Sequence, residues 1–208
     1  MIYDRQTTIE QFLAATAARQ ATPGGGRVAA LAGALAAAIG EMALNYSVGR
    51  KNGAAADVQL KPAVAELERA RDLLLHLMVE DQVAFEAMSA ALKLPAESAE
   101  RAERLPVTVL ACITVPQAVG GTGVAILEQC DRIVDMINPR LLSDLAVCAE
   151  LAMATVRSAM YNCRVNLKDV DDPDDRTSIE ATMKEILSHA LALIQRVIPR
   201  IWAKQEKS

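Results

Sequence analysis

Along one stretch of this chain the side chains that would share a helix face are almost all a methyl group or nothing. Gly26, Ala30, Ala34 and Ala38 recur every four residues, and Ala29, Gly33 and Ala37 fill the adjacent row. Rows this flat allow another backbone to come unusually close, so a helix read from about Arg27 to Val48 belongs in the centre of a bundle. The composition agrees. Aromatic residues are 3% and apolar residues 52% of the 208 positions, a surplus supplied by Ala, Leu, Val and Ile that suits close-packed helices better than a sheet. The expected fold is all-α, an up-and-down bundle of about six to eight helices with two long Ala-rich helices at its centre, in one domain over residues 1–208.

The elements can be placed along the chain. Thr7-Thr8-Ile9-Glu10 fits a capping box for a first helix that ends before Pro23. Gly49-Arg50-Lys51-Asn52-Gly53 stops the second helix. In the third, Val64, Leu67, Arg71, Leu74, Met78, Asp81, Phe85, Met88 and Leu92 recur at alternating steps of three and four. Val115-Pro116 followed by Gly120-Gly121-Thr122-Gly123 predicts a kink or loop. Asn138-Pro139 predicts a turn, with Ser143-Asp144 capping a second Ala-rich helix from Leu145 to about Lys168. The acidic run Asp169 to Asp175 reads as a solvated turn before a final helix opening at Ser178, with Ile179, Met183, Ile186, Leu187, Ala190 and Ile194 inward.

Two features point to chemistry. Thr22-Pro23-Gly24-Gly25-Gly26 runs straight into the small-residue helix, a junction where a ligand can approach bare backbone and meet the unpaired N–H groups of a helix start. The competing reading is a hinge. Asp81 and Arg71 are charged members of an apolar seam, ten residues or roughly 15 Å apart, so each needs a separate partner or a ligand. A carboxylate on a core-facing stripe is costly to desolvate and such groups concentrate at catalytic sites. Arg71 can instead lie along the core and reach a carboxylate with its guanidinium. Asn162 and Asn166 share a face and suit either a ligand edge or a neighbouring helix end.

Other classes recede. A net charge of −4 offers nucleic acid no basic face. Cys112, Cys130, Cys148 and Cys163 contain no CxxC pair and read as buried, reduced thiols, and His76 and His189, each four residues from a glutamate, read as surface pairs without a third metal ligand. No metal or cofactor is expected. Val28 to Gly40 is uncharged, but Glu41 cuts it short of a membrane span, and Met1-Ile2-Tyr3-Asp4-Arg5 does not resemble a secretion signal, so a soluble, cytoplasmic protein is expected.

Pro23-Gly24-Gly25-Gly26 with Val28-Ala29-Ala30, then Asn45, Gly49-Arg50-Lys51, Glu80-Asp81-Gln82-Val83-Ala84-Phe85, and Ser143-Asp144 with Asn162 and Asn166, make a pattern that resembles the cyclodeaminase/cyclohydrolase family over nearly the whole chain. The resemblance implies an all-helical homodimer without metal, and a tetrahydrofolate derivative bound near the dimer interface. It implies Asp81 as the central acid/base. It further implies substrate binding by Pro23, Gly24, Gly25, Gly26, Asn45, Arg50, Lys51, Asp144 and Asn162, with Arg50 and Lys51 facing the glutamyl tail. The chain departs from the family at Arg27, where a small residue is usual, and at Arg50-Lys51-Asn52, where a lysine-rich run is usual, and both departures bear on substrate recognition; it departs again around Gly120 to Gly123, where ordinary helix is usual. The activity implied is hydrolysis of 5,10-methenyltetrahydrofolate to 10-formyltetrahydrofolate. Its competitors are cyclisation of 5-formiminotetrahydrofolate with loss of ammonia, and a non-catalytic folate-binding or self-assembling helical protein.

Overall fold

In the computed structural model, which describes residues 3–49 and 54–206, the chain forms six α-helices: α1 Ile9–Ala17, α2 Gly25–Asn45, α3 Ala54–Leu92, α4 Ala99–Ile133, α5 Leu142–Asn166 and α6 Pro173–Gln205. Two 3-10 turns, Pro139–Leu141 and Leu167–Asp169, flank α5. Helices α2 to α5 run up and down and close a ring in which each packs on the next and α5 returns to α2. Helix α6 lies outside, parallel to α4, where Asp131 of α4 accepts from Arg196 at 2.6 Å and from Arg200 at 2.7 Å. The bundle is the expected one, and α2 and α5 are its Ala-rich centre.

A seven-residue period in α2 sets the packing of the ring. A Cβ at Gly33 would lie 2.9 Å from Thr155 Cγ2 and 3.0 Å from Leu74 Cδ1, and one at Gly40 would lie 2.8 Å from Leu67 Cδ1 and 2.9 Å from Cys148 Sγ. These glycines are therefore the holes into which α3 inserts Leu74 and Leu67 from one side and α5 inserts Thr155 and Cys148 from the other. Gly26 is the third member of the period, and the α3 residue that faces it, seven beyond Leu74, is Asp81. A carboxylate occupies the place of a leucine.

Several local expectations shift. The capping box is one residue later, with Thr8 accepting from the backbone of Gln11 and the Gln11 side chain returning to Thr8. Helix α4 runs unbroken through Pro106, Pro116 and Gly120-Gly121-Thr122-Gly123, where a kink or loop was expected. The glycines are needed for closeness: a Cβ at Gly120 would come within 2.7 Å of Met160 Cε, and one at Gly123 within 2.8 Å of Val156 Cγ2. Pro116 has no N–H for the carbonyl of Cys112 four residues back, and Asn166 Nδ2 donates to that oxygen at 3.0 Å instead. This assigns Asn166 a structural bond.

Helix α5 begins at Leu142, so Ser143 and Asp144 lie in its first turn and do not cap it. Helix α6 starts at Pro173 and not at Ser178, because Asp172 caps it by accepting from Asp174 and Asp175 and the acidic run then sits at the positive end of the helix dipole. Arg71 pairs with the buried Glu41 at 2.7 Å, as its position suggested. His76 pairs with Glu80 at 3.5 Å, whereas His189 reaches across to Glu128 on α4 and not to Glu185. All four cysteines are buried and free. By length and composition α2 and α4 could each cross a membrane, but half or more of the apolar window in each is buried in the bundle.

Candidate active site

The loop Ala18 to Gly24 delivers the chain to the start of α2, where Gly24 caps the helix with no side chain of its own. Gly25 and Gly26 are the first two helical residues, so the helix opens before Arg27. None of the three glycines has a positive φ; what they supply is nearness. A Cβ on Gly26 would stand 2.0 Å from Asp81 Oδ1, and one on Gly25 would stand 3.2 Å from Asn162 Oδ1, while one on Gly24 would meet only Ala21 O at 3.7 Å. The backbone of α2 is thus pressed between a carboxylate from α3 and an amide from α5.

Around this point lies a cleft of about 280 Å³. Gly24, Gly25 and Gly26 form one wall with Asp81 and Asn162, and Phe85, Met88, Cys112, Pro116 and Val165 close it with apolar surface. Asp81 accepts a hydrogen bond from the backbone N–H of Arg27, so it serves as the cap that Gly24 lacks. Burial pushes the Asp81 carboxyl above the ordinary range, and the Arg27 charge and the N–H bond only partly oppose it. The Cys112 thiol beside it is pushed up to about 11 by burial and by Asp81, which keeps it an un-ionised wall group. Asn162 donates its Nδ2 to Ser158 O at 2.8 Å, leaving Oδ1 turned toward Gly25. The site is one titratable carboxylate in a mostly apolar slot, with backbone donors and an amide acceptor at its rim.

The model of the formiminotransferase-cyclodeaminase family matches residues 8–185. This chain belongs to that family. Among formiminotransferase-cyclodeaminase relatives, the methenyltetrahydrofolate cyclohydrolase of Methylorubrum extorquens is 32% identical over 95% of this chain and 97% of its own length. The formimidoyltransferase-cyclodeaminase of Sus scrofa is 28% identical over 95% of this chain, which spans only 37% of that longer protein. The crystal structure of formiminotetrahydrofolate cyclodeaminase from Thermotoga maritima superimposes with a TM-score of 0.89, at 25% identity, over 95% of this chain and 97% of that one.

Within this family member, the residues singled out from sequence fall into two groups. Gly24, Gly25, Gly26, Asp81 and Asn162 meet at the cleft, and Pro23 is buried behind it. Asn45 is exposed at the other end of α2, a helix of 21 residues and so about 30 Å long. The antiparallel register of α2 and α5 brings Asp144 to that same far end. Arg50 and Lys51 lie outside the described residues. Sequence reasoning passed over Phe85, Met88, Cys112, Pro116 and Val165 as site walls. It also takes the departure at Arg27 to bear on substrate recognition, whereas that residue is buried and its side chain does not line the cleft. The usable signal was the spacing Gly26, Gly33, Gly40 against Leu67, Leu74, Asp81. Among the described residues no group of three or more His, Cys, Asp or Glu side chains is placed to hold a metal.

Proposed function

We propose that this protein hydrolyses 5,10-methenyltetrahydrofolate to 10-formyltetrahydrofolate, with Asp81 as the acid/base. The observation that carries the reading is a single carboxylate in an apolar slot. The substrate's amidinium is flat and cationic, and a lone ionised Asp81 stabilises it more strongly there than water would. The Asp81 carboxylate takes a proton as a water oxygen bonds to the amidinium carbon. It returns that proton to N5 as the carbon–N5 bond breaks, and loss of the hydroxyl proton to solvent leaves the formyl group on N10. Asn162 Oδ1 and the first N–H groups of α2 offer an acceptor and donors to the edge of the pterin ring.

Cyclodeamination is the second reading, and the raised carboxyl favours it specifically, since a protonated Asp81 can donate to departing ammonia. Purified protein is given each substrate, following loss of methenyl absorbance in one assay and release of ammonia in the other. Turnover of the methenyl compound without ammonia formation from the formimino compound is expected; the reverse outcome would transfer the assignment, and turnover of neither would leave a binding protein.

The cleft is below the usual range for a drug-sized ligand and suits the pterin head, which leaves the glutamyl tail outside. Asn45 and Asp144, read from the sequence as substrate-binding, lie at the far end of α2 and do not reach the cleft of their own chain. A second copy supplies them if the two α2/α5 faces pack head to tail, and both faces carry exposed apolar stripes. Leu35 is 54% and Tyr161 71% exposed, together with Val28 on α2, Tyr46 just past its end, and Val147 and Val165 on α5. Val165 belongs to the cleft as well. We therefore read the protein as a homodimer whose partner brings its Asn45 and Asp144 end to this site. Leu35→Asp is expected to turn a sedimenting dimer into a monomer and to lower kcat/KM; wild type sedimenting as a fully active monomer would refute the arrangement.

A further inference from the structure

Arg27 is the largest side chain sealed inside this bundle, with 0% of its surface exposed. It follows Gly26 directly, yet its guanidinium points into the protein and not into the cleft. Nη1 donates to Gln82 Oε1 on α3 and Nη2 to the carbonyl oxygen of Tyr3. The guanidinium carbon lies 5.4 Å from the centroid of the Tyr3 ring, which in turn meets Phe12 of α1 edge-on at 6.5 Å. Nε is buried without a partner, so the fork is not completed for its own sake. A buried cation is expensive to desolvate, and an apolar side chain of similar volume would serve packing as well or better. The charge therefore needs another account. Its backbone N–H already holds Asp81, and among the surrounding groups the Asp81 carboxylate is the strongest in favouring the charged guanidinium.

We propose that Arg27 is a positioning residue for the reaction, a sealed counter-charge that orients the Asp81 carboxylate from behind the cleft and is itself held by the N-terminal segment at Tyr3. The inference rests on Asp81 being the group that moves the proton. Arg27 acts on it from α2. Glu86 and Gln82 on α3 and Tyr3 and Asp4 on the N-terminal segment face Arg27, Cys112 faces Asp81 from α4, and α5 contributes the uncharged Asn162. With the guanidinium removed, nothing cationic in this set opposes the burial of Asp81.

The test is the pH dependence of kcat/KM for whichever folate substrate the wild type turns over, measured for wild type, Arg27→Met, Arg27→Lys and Asp81→Asn. Arg27→Met is expected to move the Asp81-dependent limb upward by about one pH unit or more, because the buried opposite charge that most favours the ionised carboxylate has been lost. Arg27→Lys is expected to keep the limb in place while kcat falls, since the charge remains but one ammonium cannot bridge Tyr3 and Gln82. A folded Arg27→Met with an unmoved limb, beside an inactive Asp81→Asn, would overturn the role of Arg27 and leave Asp81 standing. Should Arg27→Met fail to fold, Arg27→Lys decides alone: a displaced limb or an undiminished kcat refutes the proposal. An active Asp81→Asn would instead remove the reading on which the proposal rests.

Discussion

Asp81→Asn is expected to lower kcat about 10²- to 10⁴-fold, the usual contribution of a positioned general acid/base, while the melting temperature stays within a few degrees of wild type. The two halves of this result belong together. Burial raises the Asp81 carboxyl, so the native state binds its proton more tightly than the unfolded chain does. Stability from that source is present at acid pH and is lost as pH rises from the ordinary aspartate range through the raised value. At neutral pH the ionised group is therefore a net cost to the fold, and an amide of the same size removes it. A scaffold carboxylate that only capped α2 predicts the reverse, namely lost stability and unchanged turnover. The pH profile separates the two chemistries as well. Hydrolysis uses the ionised form and declines on acidification, from a higher pH than an exposed aspartate would set. Ammonia release uses the protonated form and declines as pH rises.

Gly26→Ala is the second large effect. The added methyl would stand 2.0 Å from Asp81 Oδ1 and 2.8 Å from Oδ2, so the carboxylate must leave its place. A displacement of about 1 Å at a reacting group can cost 10²-fold, and kcat/KM is expected to fall by that order while the fold survives. Gly33→Ala, one period along the same helix, crowds Thr155 and Leu74 in the core at 2.9 and 3.0 Å. It should cost about 1–3 kcal/mol of stability by overpacking and leave KM alone. Gly121→Ala, on α4 and outside the cleft, meets nothing within 4 Å and is the control expected to resemble wild type in both assays. If Gly26→Ala and Gly33→Ala behaved alike in turnover and in melting, the Gly26 contact would be ordinary packing.

What the sequence disclosed about the fold came from periodicity, and what it hid came from pairing between helices. The seam on α3 and the small-residue rows on α2 are properties of single helices and could be read directly, including the anomaly of Asp81. The continuity of α4 could not, because a proline and three glycines within eight residues break a lone helix. Only α5, which needs Gly120 and Gly123 for close approach and fills the Cys112 carbonyl with Asn166, makes the straight path the stable one. The same limit applies at the site. Gly24 to Gly26, Asp81 and Asn162 were legible as unusual residues, whereas the inward turn of Arg27 depends on Tyr3, Gln82 and Asp81 arriving from two other segments. The far-end placement of Asn45 and Asp144 is likewise a matter of register between α2 and α5.

The glycine period carries one more consequence, for which lengths of chain this architecture tolerates. Gly26, Gly33 and Gly40 on α2 meet Asp81, Leu74 and Leu67 on α3 as successive rungs, so the reactive carboxylate is held in register by the same ladder as the core. Inserting or deleting a single residue between rungs turns everything beyond it by about 100° and swings Asp81 out of the cleft. Only whole periods of seven would return it. Length variation compatible with this site is therefore confined to the connections between helices and to the outer helix α6, and a chain of this kind keeps its reactive group by counting residues between it and the leucines below.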